Sequence, residues 1–309
     1  MVAIITLTVN PALDISTATD VVMPEHKLRC AEPRYDPGGG GINVARAVRL
    51  LGGEAVAVFP VGGPSGETLC RLLGDEGVPH DAVTIGGLTR ESLAVVERQS
   101  GKQYRFLLPG PTLGDSERRR CLDALASRLA GAQFLVASGS LPPGAPADFY
   151  AEVGALAQRH GVRFVLDTSG PALAGARAGT YLLKASRREL EELSGQCLST
   201  PADEERAARE VIASGRTEIL VVSLGERGAL LATGTDIRRF AAVKVEAIGS
   251  VGAGDSMVAG MVLSLSRGWT LDDAVKFGMA AGAAALLRPG TELCRREDTE
   301  RLYGGMAAT

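Results

Sequence analysis

A chain of 309 residues, 45% apolar and 22% charged, carries enough core-forming side chains for one large α/β domain or two smaller ones. A net charge of −3 gives no electrostatic case for nucleic acid or a membrane surface, and no apolar run nears the roughly 18 residues of a spanning helix. Five scattered cysteines (Cys30, Cys70, Cys121, Cys197, Cys294), without a Cys-x-x-Cys, fit reduced thiols rather than a disulfide or zinc framework. With no basic leader ahead of the first apolar run, the expectation is a cytoplasmic protein.

Taken in chain order, residues 4–9 read as a buried strand and 27–35 as an exposed antiparallel one. A helix over 42–51, a strand over 55–60 and a helix over 66–76 follow. Residues 92–108 read as a hairpin turning at Gln99-Ser100-Gly101-Lys102. Then come a helix (116–130), a strand (134–138), a helix (147–160), strands at 164–167 and 181–184, helices at 187–193 and 203–214, and a strand at 219–223. Two long helices close the pattern, 255–266 and 271–286, the second with Thr270 as its N-cap. Buried strands alternating with amphipathic helices predict a mostly parallel sheet covered on both faces, a Rossmann-like three-layer α/β/α sandwich. The two exposed β segments, about 27–36 and 88–108, predict a small β lid inserted into a single domain spanning 1–309. Such a lid suits chemistry that must exclude water.

The densest chemical signal is Gly249-Ser250-Val251-Gly252-Ala253-Gly254-Asp255-Ser256, set before an apolar helix. The amides of Gly252, Ala253 and Gly254 can converge on an anion, because small side chains leave the backbone open and the helix dipole favours negative charge there. A carboxylate beside an anion hole makes sense as a base for a group attacking that anion, so Asp255 points to phosphoryl transfer. A plain strand-to-helix turn capped by Asp is the alternative.

Other nucleotide signatures are missing. No Gly-x-x-x-x-Gly-Lys-Ser/Thr occurs, and Gly38-Gly39-Gly40-Gly41-Ile42-Asn43 does not complete Gly-x-Gly-x-x-Gly. Gly254-Asp255-Ser256 could belong to a Gly-Asp-Ser hydrolase, but all three histidines (His26, His80, His160) precede it.

Four further stretches weigh in: Asn10-Pro11-Ala12-Leu13-Asp14, the glycine run from Pro37 to Arg46, Ser138-Gly139-Ser140-Leu141-Pro142-Pro143-Gly144, and Val221-Val222-Ser223-Leu224-Gly225-Glu226-Arg227-Gly228. With the Gly-Ala-Gly-Asp loop they resemble the ribokinase-like, pfkB-type family of sugar kinases, from Met1 to about Tyr303. Within it the chain is similar to the branch acting on fructose 6-phosphate. The resemblance implies ATP-dependent phosphorylation of the 1-hydroxyl to fructose 1,6-bisphosphate, on a ribokinase-type fold. Tagatose 6-phosphate or fructose 1-phosphate are alternative substrates. A non-catalytic sugar-phosphate binder is a remoter alternative, opposed by the retained Asp255.

The resemblance assigns Asp255 as base and the 252–254 amides as anion hole. Asp14, Gly38, Gly39, Asn43 and Ser138 would meet the sugar, and Arg90 and Arg105 its 6-phosphate. Lys27, Lys184, Ser186, Ser223, Gly225, Gly228 and Ser250 fall on the nucleotide side, and Glu189 with Mg²⁺. Potassium would bind near Ser250 and the loop before Gly290. Three positions depart from the family pattern. Ser186-Arg187-Arg188-Glu189 stands where Asn-x-x-Glu is usual, Lys184-Ala185 replaces Lys-Pro, and Ser250 replaces Thr. Pairing of lid strands between two copies would cover open edges, which predicts a homodimer, with a tetramer as the further possibility.

Overall fold

The computed structural model describes residues 2–176, 179–249 and 251–307. The chain opens with β1 (Ile4–Leu7), β2 (Ala12–Thr19), β3 (Arg34–Gly38), α1 (Gly40–Leu50), β4 (Ala55–Val61), α2 (Gly63–Asp75) and β5 (His80–Thr84). The hairpin β6 (Arg90–Glu97) and β7 (Gln103–Leu107) precedes α3 (Asp115–Leu129), β8 (Phe134–Ser138), α4 (Phe149–Arg159), β9 (Arg163–Asp167) and α5 (Gly170–Gly175). Then follow β10 (Thr180–Ser186), α6 (Arg187–Ser194), α7 (Pro201–Ala213), β11 (Thr217–Ser223), a 3₁₀ turn (Gly225–Arg227), β12 (Ala229–Thr233) and β13 (Ile237–Phe240). Helices α8 (Ala253–Ser266), α9 (Leu271–Leu286) and α10 (Arg296–Ala307) end the chain.

Among the described residues two sheets form. Nine strands lie in the order β13-β12-β11-β10-β9-β8-β1-β4-β5 and four in the order β3-β2-β6-β7. In the large sheet all pairs from β11 to β5 are parallel, and β12 and β13 add antiparallel at one edge. The inner parallel strands are largely apolar on both faces, while the edge strand β5 is part-exposed, and successive residues of the inner strands feed two different cores. Phe134, Val136, Val165, Leu182 and Val221 join a cluster with α1, α2, α8 and α9. Leu135, Ala137, Leu166, Leu183 and Val222 join one with α3 to α7. That is the three-layer sandwich expected from the alternation of strands and helices.

The strand ends fall level. Ser138 stands opposite Asp167, Asp167 opposite Lys184, and Ser186 opposite Ser223. Polar side chains that are distant in sequence thus share the carboxyl edge of the sheet, where open α/β sheets hold their ligands.

The small sheet differs from its expected form in two ways. Its first exposed strand is Arg34–Gly38, not 27–35, because 27–33 runs exposed and outside any strand. Its central strand, β2, pairs parallel with β6 and antiparallel with β3. The hairpin β6–β7 turns at the predicted place. Helix α8 starts at Ala253, two residues before the expected Asp255, so the loop's amides belong to the first helical turn.

Candidate active site

The segments that follow β1, β8 and β9, the starts of α1, α6 and α8, and the small sheet together enclose a cleft of about 800 Å³. It is lined by Asn10, Asp14, Gly39, Asn43, Arg90, Arg105, Ser138, Asp167, Glu189, Gly252 and Asp255, among others. A second cleft of about 650 Å³ is lined by Ser223, Gly225, Glu226, Gly228, Ala253, Gly254 and the chain from Ala242 to Ala247. The first turn of α8 is the wall between them. Gly252 and Asp255 face the first cleft, while Ala253 and Gly254 face the second. Gly252 is the N-cap at φ +73°, a left-handed conformation that glycine adopts without strain.

Asp255 is held by two donors. The Asn43 amide donates to Oδ2 at 3.0 Å and the Ser138 hydroxyl to Oδ1 at 3.2 Å. Burial pushes its carboxyl up to about 6, and neighbouring Asp167 adds to the rise. The Asn43 and Ser138 hydrogen bonds and the Lys184 ammonium act against it. Such a group is deprotonated at neutral pH and still basic enough to accept a proton. Lys184 bridges both oxygens of Asp167 at 3.2 and 3.3 Å. Burial alone would lower its pKa, but Asp167, Glu189 and Asp255 outweigh burial and keep the ammonium charged above its usual range.

The glycine run is a matter of clearance. A Cβ on Gly38 would stand 2.3 Å from the Asp14 carboxylate, and one on Gly40 2.2 Å from the Ser138 hydroxyl. Only hydrogen fits between this backbone and two polar groups facing the cleft. Asp14 itself is pushed up to about 6 by burial, against the pull of Arg90, Arg105 and Arg46.

Arg90 is fixed by its own bonds. Its guanidinium donates to the Asn10 carbonyl at 3.2 and 3.4 Å and to the Ser92 hydroxyl at 3.3 Å. Arg105 lines the same cleft from β7 but is exposed.

Residues 7–298 match the pfkB family of carbohydrate kinases. The chain belongs to that family. It is 54% identical over 300 residues to the ATP-dependent 6-phosphofructokinase isozyme 2 of Mycobacterium tuberculosis, covering 97% of this chain and 88% of that one. It is 44% identical to the protein of the same name from Escherichia coli, over 98% of both chains. A 1-phosphofructokinase of Xanthomonas campestris is 34% identical, over 95% of this chain and 91% of that one. Phosphofructokinase-2 from Escherichia coli, solved in complex with potassium, superposes with a TM-score of 0.95 at 43% identity, over 99% of this chain and all of the other. The same protein has been solved with fructose-6-phosphate, with a TM-score of 0.93 at 42% identity over the same shares, and in a tetrameric inhibited form.

Within this kinase fold most of the residues singled out from the sequence come together. Asp14, Gly39, Asn43, Arg90, Arg105, Ser138, Glu189, Gly252 and Asp255 line the first cleft, and Gly38 abuts Asp14 from the neighbouring strand. Ser223, Gly225, Gly228, Ala253 and Gly254 line the second. Lys184 lies between the two, its Nζ 3.0 Å from where a Cβ on Gly254 would stand. Lys27 is not brought in: it is exposed and lines neither cleft of its own chain. Ser250 lies outside the described residues.

Ser186 and Glu189 form a reciprocal cap on α6. Ser186 Oγ accepts from the Glu189 N–H, and Glu189 Oε2 accepts from the Ser186 N–H at 2.6 Å. The two new cations between them do not charge the cleft. Arg187 pairs with Glu191 and Glu204, and Arg188 with Glu192. Asp167 and Asn10 are cleft residues to which the sequence reading gave no role. The signal for Asp167 was its place at the end of an apolar strand, next to Thr168-Ser169-Gly170.

Proposed function

We propose that the chain transfers the γ-phosphoryl group of ATP to the 1-hydroxyl of fructose 6-phosphate. One observation carries this: the first turn of α8 stands between two clefts, with the basic carboxylate of Asp255 lining one and the small residues Ala253 and Gly254 lining the other. The sugar phosphate occupies the first cleft, its 6-phosphate on Arg90 and Arg105, whose planar forks suit phosphate oxygens. Asp14 and Asn43 meet sugar hydroxyls. ATP enters the second cleft along Ser223, Gly225 and Gly228, with Lys184 near its terminal phosphates.

The 1-hydroxyl oxygen attacks the γ-phosphorus and its proton passes to Asp255. The bond from that phosphorus to the bridging oxygen breaks, and its electron pair leaves on ADP. The amides of Gly252, Ala253 and Gly254 meet the charge on the transferring group. Asn43 and Ser138 aim the base before the sugar arrives, a role beyond sugar contact that their bonds to Asp255 support.

Among the described residues no group of three or more His, Cys, Asp and Glu side chains could hold a metal. That fits magnesium carried on nucleotide phosphates, which asks one or two carboxylates of the protein; Glu189 is the side chain we assign to it. Magnesium there would neutralise charge on the phosphates. For potassium, the carbonyls we assign are those of Arg288 and Gly290, which lie beside Gly249. Five free thiols suit a reducing cytoplasm.

The relatives support this substrate. At 54% and 44% identity they carry the 6-phosphofructokinase name, whereas the 1-phosphofructokinase stands at 34%. The test is ADP release with ATP and Mg²⁺ against fructose 6-phosphate, tagatose 6-phosphate, fructose 1-phosphate and fructose. A clear preference in kcat/KM for fructose 6-phosphate is expected. Preference for fructose 1-phosphate would keep Asp255 and overturn the Arg90 and Arg105 assignment.

A homodimer through the lid is part of the same reading. Tyr35, Ile15, Leu93 and Phe106 stand in one register row across the four-stranded sheet. Three of them are exposed, Phe106 by 52%. An apolar row on an outward sheet face calls for cover. Sedimentation at micromolar concentration is expected to show a dimer or its multiple; a monomer would refute the lid interface.

A further inference from the structure

Glu204, in the first turn of α7, takes no part in the reaction just described, yet it is fully buried and three guanidinium groups converge on it. Arg227 reaches Oε1 at 2.6 Å and Arg187 reaches the same oxygen at 3.4 Å. Arg239 meets Oε2 at 3.0 Å with both terminal nitrogens. A carboxylate withdrawn from water persists only where cations and hydrogen bonds replace its hydration.

The three arginines come from three different elements. Arg239 belongs to β13 and also holds Glu205 and the Pro201 carbonyl, so it anchors the start of α7 to the sheet edge. Arg227 sits between Glu226 and Gly228, which both line the second cleft. The turn around it is closed by its own backbone, Leu224 N–H to Gly228 O at 2.8 Å and Gly228 N–H to Gly225 O at 3.0 Å. Arg227 is the side chain that ties this small closed turn to α7. Arg187 is the first residue of α6 and follows Ser186, whose cap orients Glu189 in the first cleft. One buried carboxylate therefore joins the rim of one cleft to the wall of the other while touching neither.

We propose that Glu204 is a positioning residue for the nucleotide. Through Arg227 it fixes the 225–228 turn over the second cleft, and through Arg187 it ties that turn to the start of α6. The proposal rests on the reading of the second cleft as the ATP site. A turn held in its binding conformation spares the nucleotide the cost of ordering it. The same link places Arg187 within the unusual Ser186-Arg187-Arg188-Glu189 stretch, because its charge is met by Glu204 and Glu191 rather than by substrate.

The test uses two variants. Glu204→Gln keeps the shape and removes the charge. Arg227→Gln cuts the link from its half-exposed end, where folding is not endangered. Each is expected to raise the ADP dissociation constant, measured by titration calorimetry, and the KM for ATP by about five- to tenfold. The KM for fructose 6-phosphate and kcat should stay within about twofold, and the double variant should bind nucleotide no worse than Glu204→Gln alone, since removing the Glu204 charge already cuts the link to Arg227. Unchanged nucleotide affinity in Arg227→Gln would overturn the proposal. So would losses in nucleotide and sugar affinity that move together with a fall in Tm, the mark of a purely structural role. Wild-type protein that binds no ADP would overturn the nucleotide reading itself, and this proposal with it.

Discussion

Replacing Asp255 with Asn is expected to lower kcat by about two to four powers of ten, the usual weight of a positioned general base. The KM for the sugar should stay within about twofold, because uniform binding is untouched when only a transition-state contact is lost. The fold should persist as well. An Asn amide oxygen can still accept from Asn43, and the Ser138 hydroxyl can rotate, so the hydrogen-bonded frame at 3.0 and 3.2 Å survives the change. Single-turnover measurement of the transfer step would check it. Near-wild-type turnover would refute the base assignment and leave Asp255 as a buried acceptor that ties α8 to Asn43 and Ser138.

The same residue sets a pH dependence whose sign follows from its raised carboxyl. The competent form of a base is the deprotonated one. With Asp255 near 6 in the free protein, its contribution to kcat/KM should be nearly full at neutral pH and fall about tenfold per unit once pH drops well below 6. Asp14 lies in the same range for its own reason, burial. Two carboxylates titrating together make the acid limb of kcat/KM steeper than one proton. In Asp255→Asn the steepness should drop to a single proton, while a limb from Asp14 remains.

How far the sequence disclosed this site depends on the kind of residue. Glycine runs and the Gly-Ala-Gly-Asp turn are legible because backbone clearance demands glycine, and no neighbour in space has to be known. The 2.2 and 2.3 Å clashes that a Cβ would meet at Gly40 and Gly38 are the physical content of that motif. The inner parallel strands are legible because both faces are buried and their apolar runs are continuous, whereas the part-exposed edge strand His80–Thr84 carries no such run and escaped.

Strand β2 escaped because Ala12–Thr19 mixes polar and apolar residues and earns its place by non-local pairing with β6. Arg34–Gly38 escaped its true boundary because the stretch before it is just as exposed and carries no signal that excludes it from the strand. The pairing of Lys184 with Asp167 is a register fact: 17 residues apart in sequence, they meet only because β10 lies beside β9 in that alignment. The Glu204 cluster is of the same type, since Arg187, Arg227 and Arg239 look like solvated surface charges until the sheet edge and α7 are placed. Motif reading finds what the backbone requires locally. Charge pairing across elements appears only with the fold.

Arg90 offers the second large effect, and it separates phosphate recognition from catalysis. Arg90→Ala is expected to raise the KM for fructose 6-phosphate by about two to three powers of ten, the scale of removing one member of an enclosed charge pair. The guanidinium is held ready by the Asn10 carbonyl and the Ser92 hydroxyl, so little ordering is needed when phosphate arrives. Arg105 is exposed and lacks such support, so its removal should cost less. Arg90→Lys should rescue poorly, because one ammonium cannot reproduce a two-pronged contact.

Asp14 gives a further signature. Burial raises it, and Arg90 is the foremost opposing charge. Without Arg90 its carboxyl must rise further, so the acid limb of kcat/KM should move to higher pH in Arg90→Ala. Unphosphorylated fructose is the control, since it has no 6-phosphate to lose. Its kcat/KM should change little at pH 8, above the range near 6 in which Asp14 titrates with Arg90 in place. An equal loss for fructose and fructose 6-phosphate at that pH would mean that Arg90 shapes the cleft rather than gripping phosphate, and the 6-phosphate would then have to be sought elsewhere on the lid.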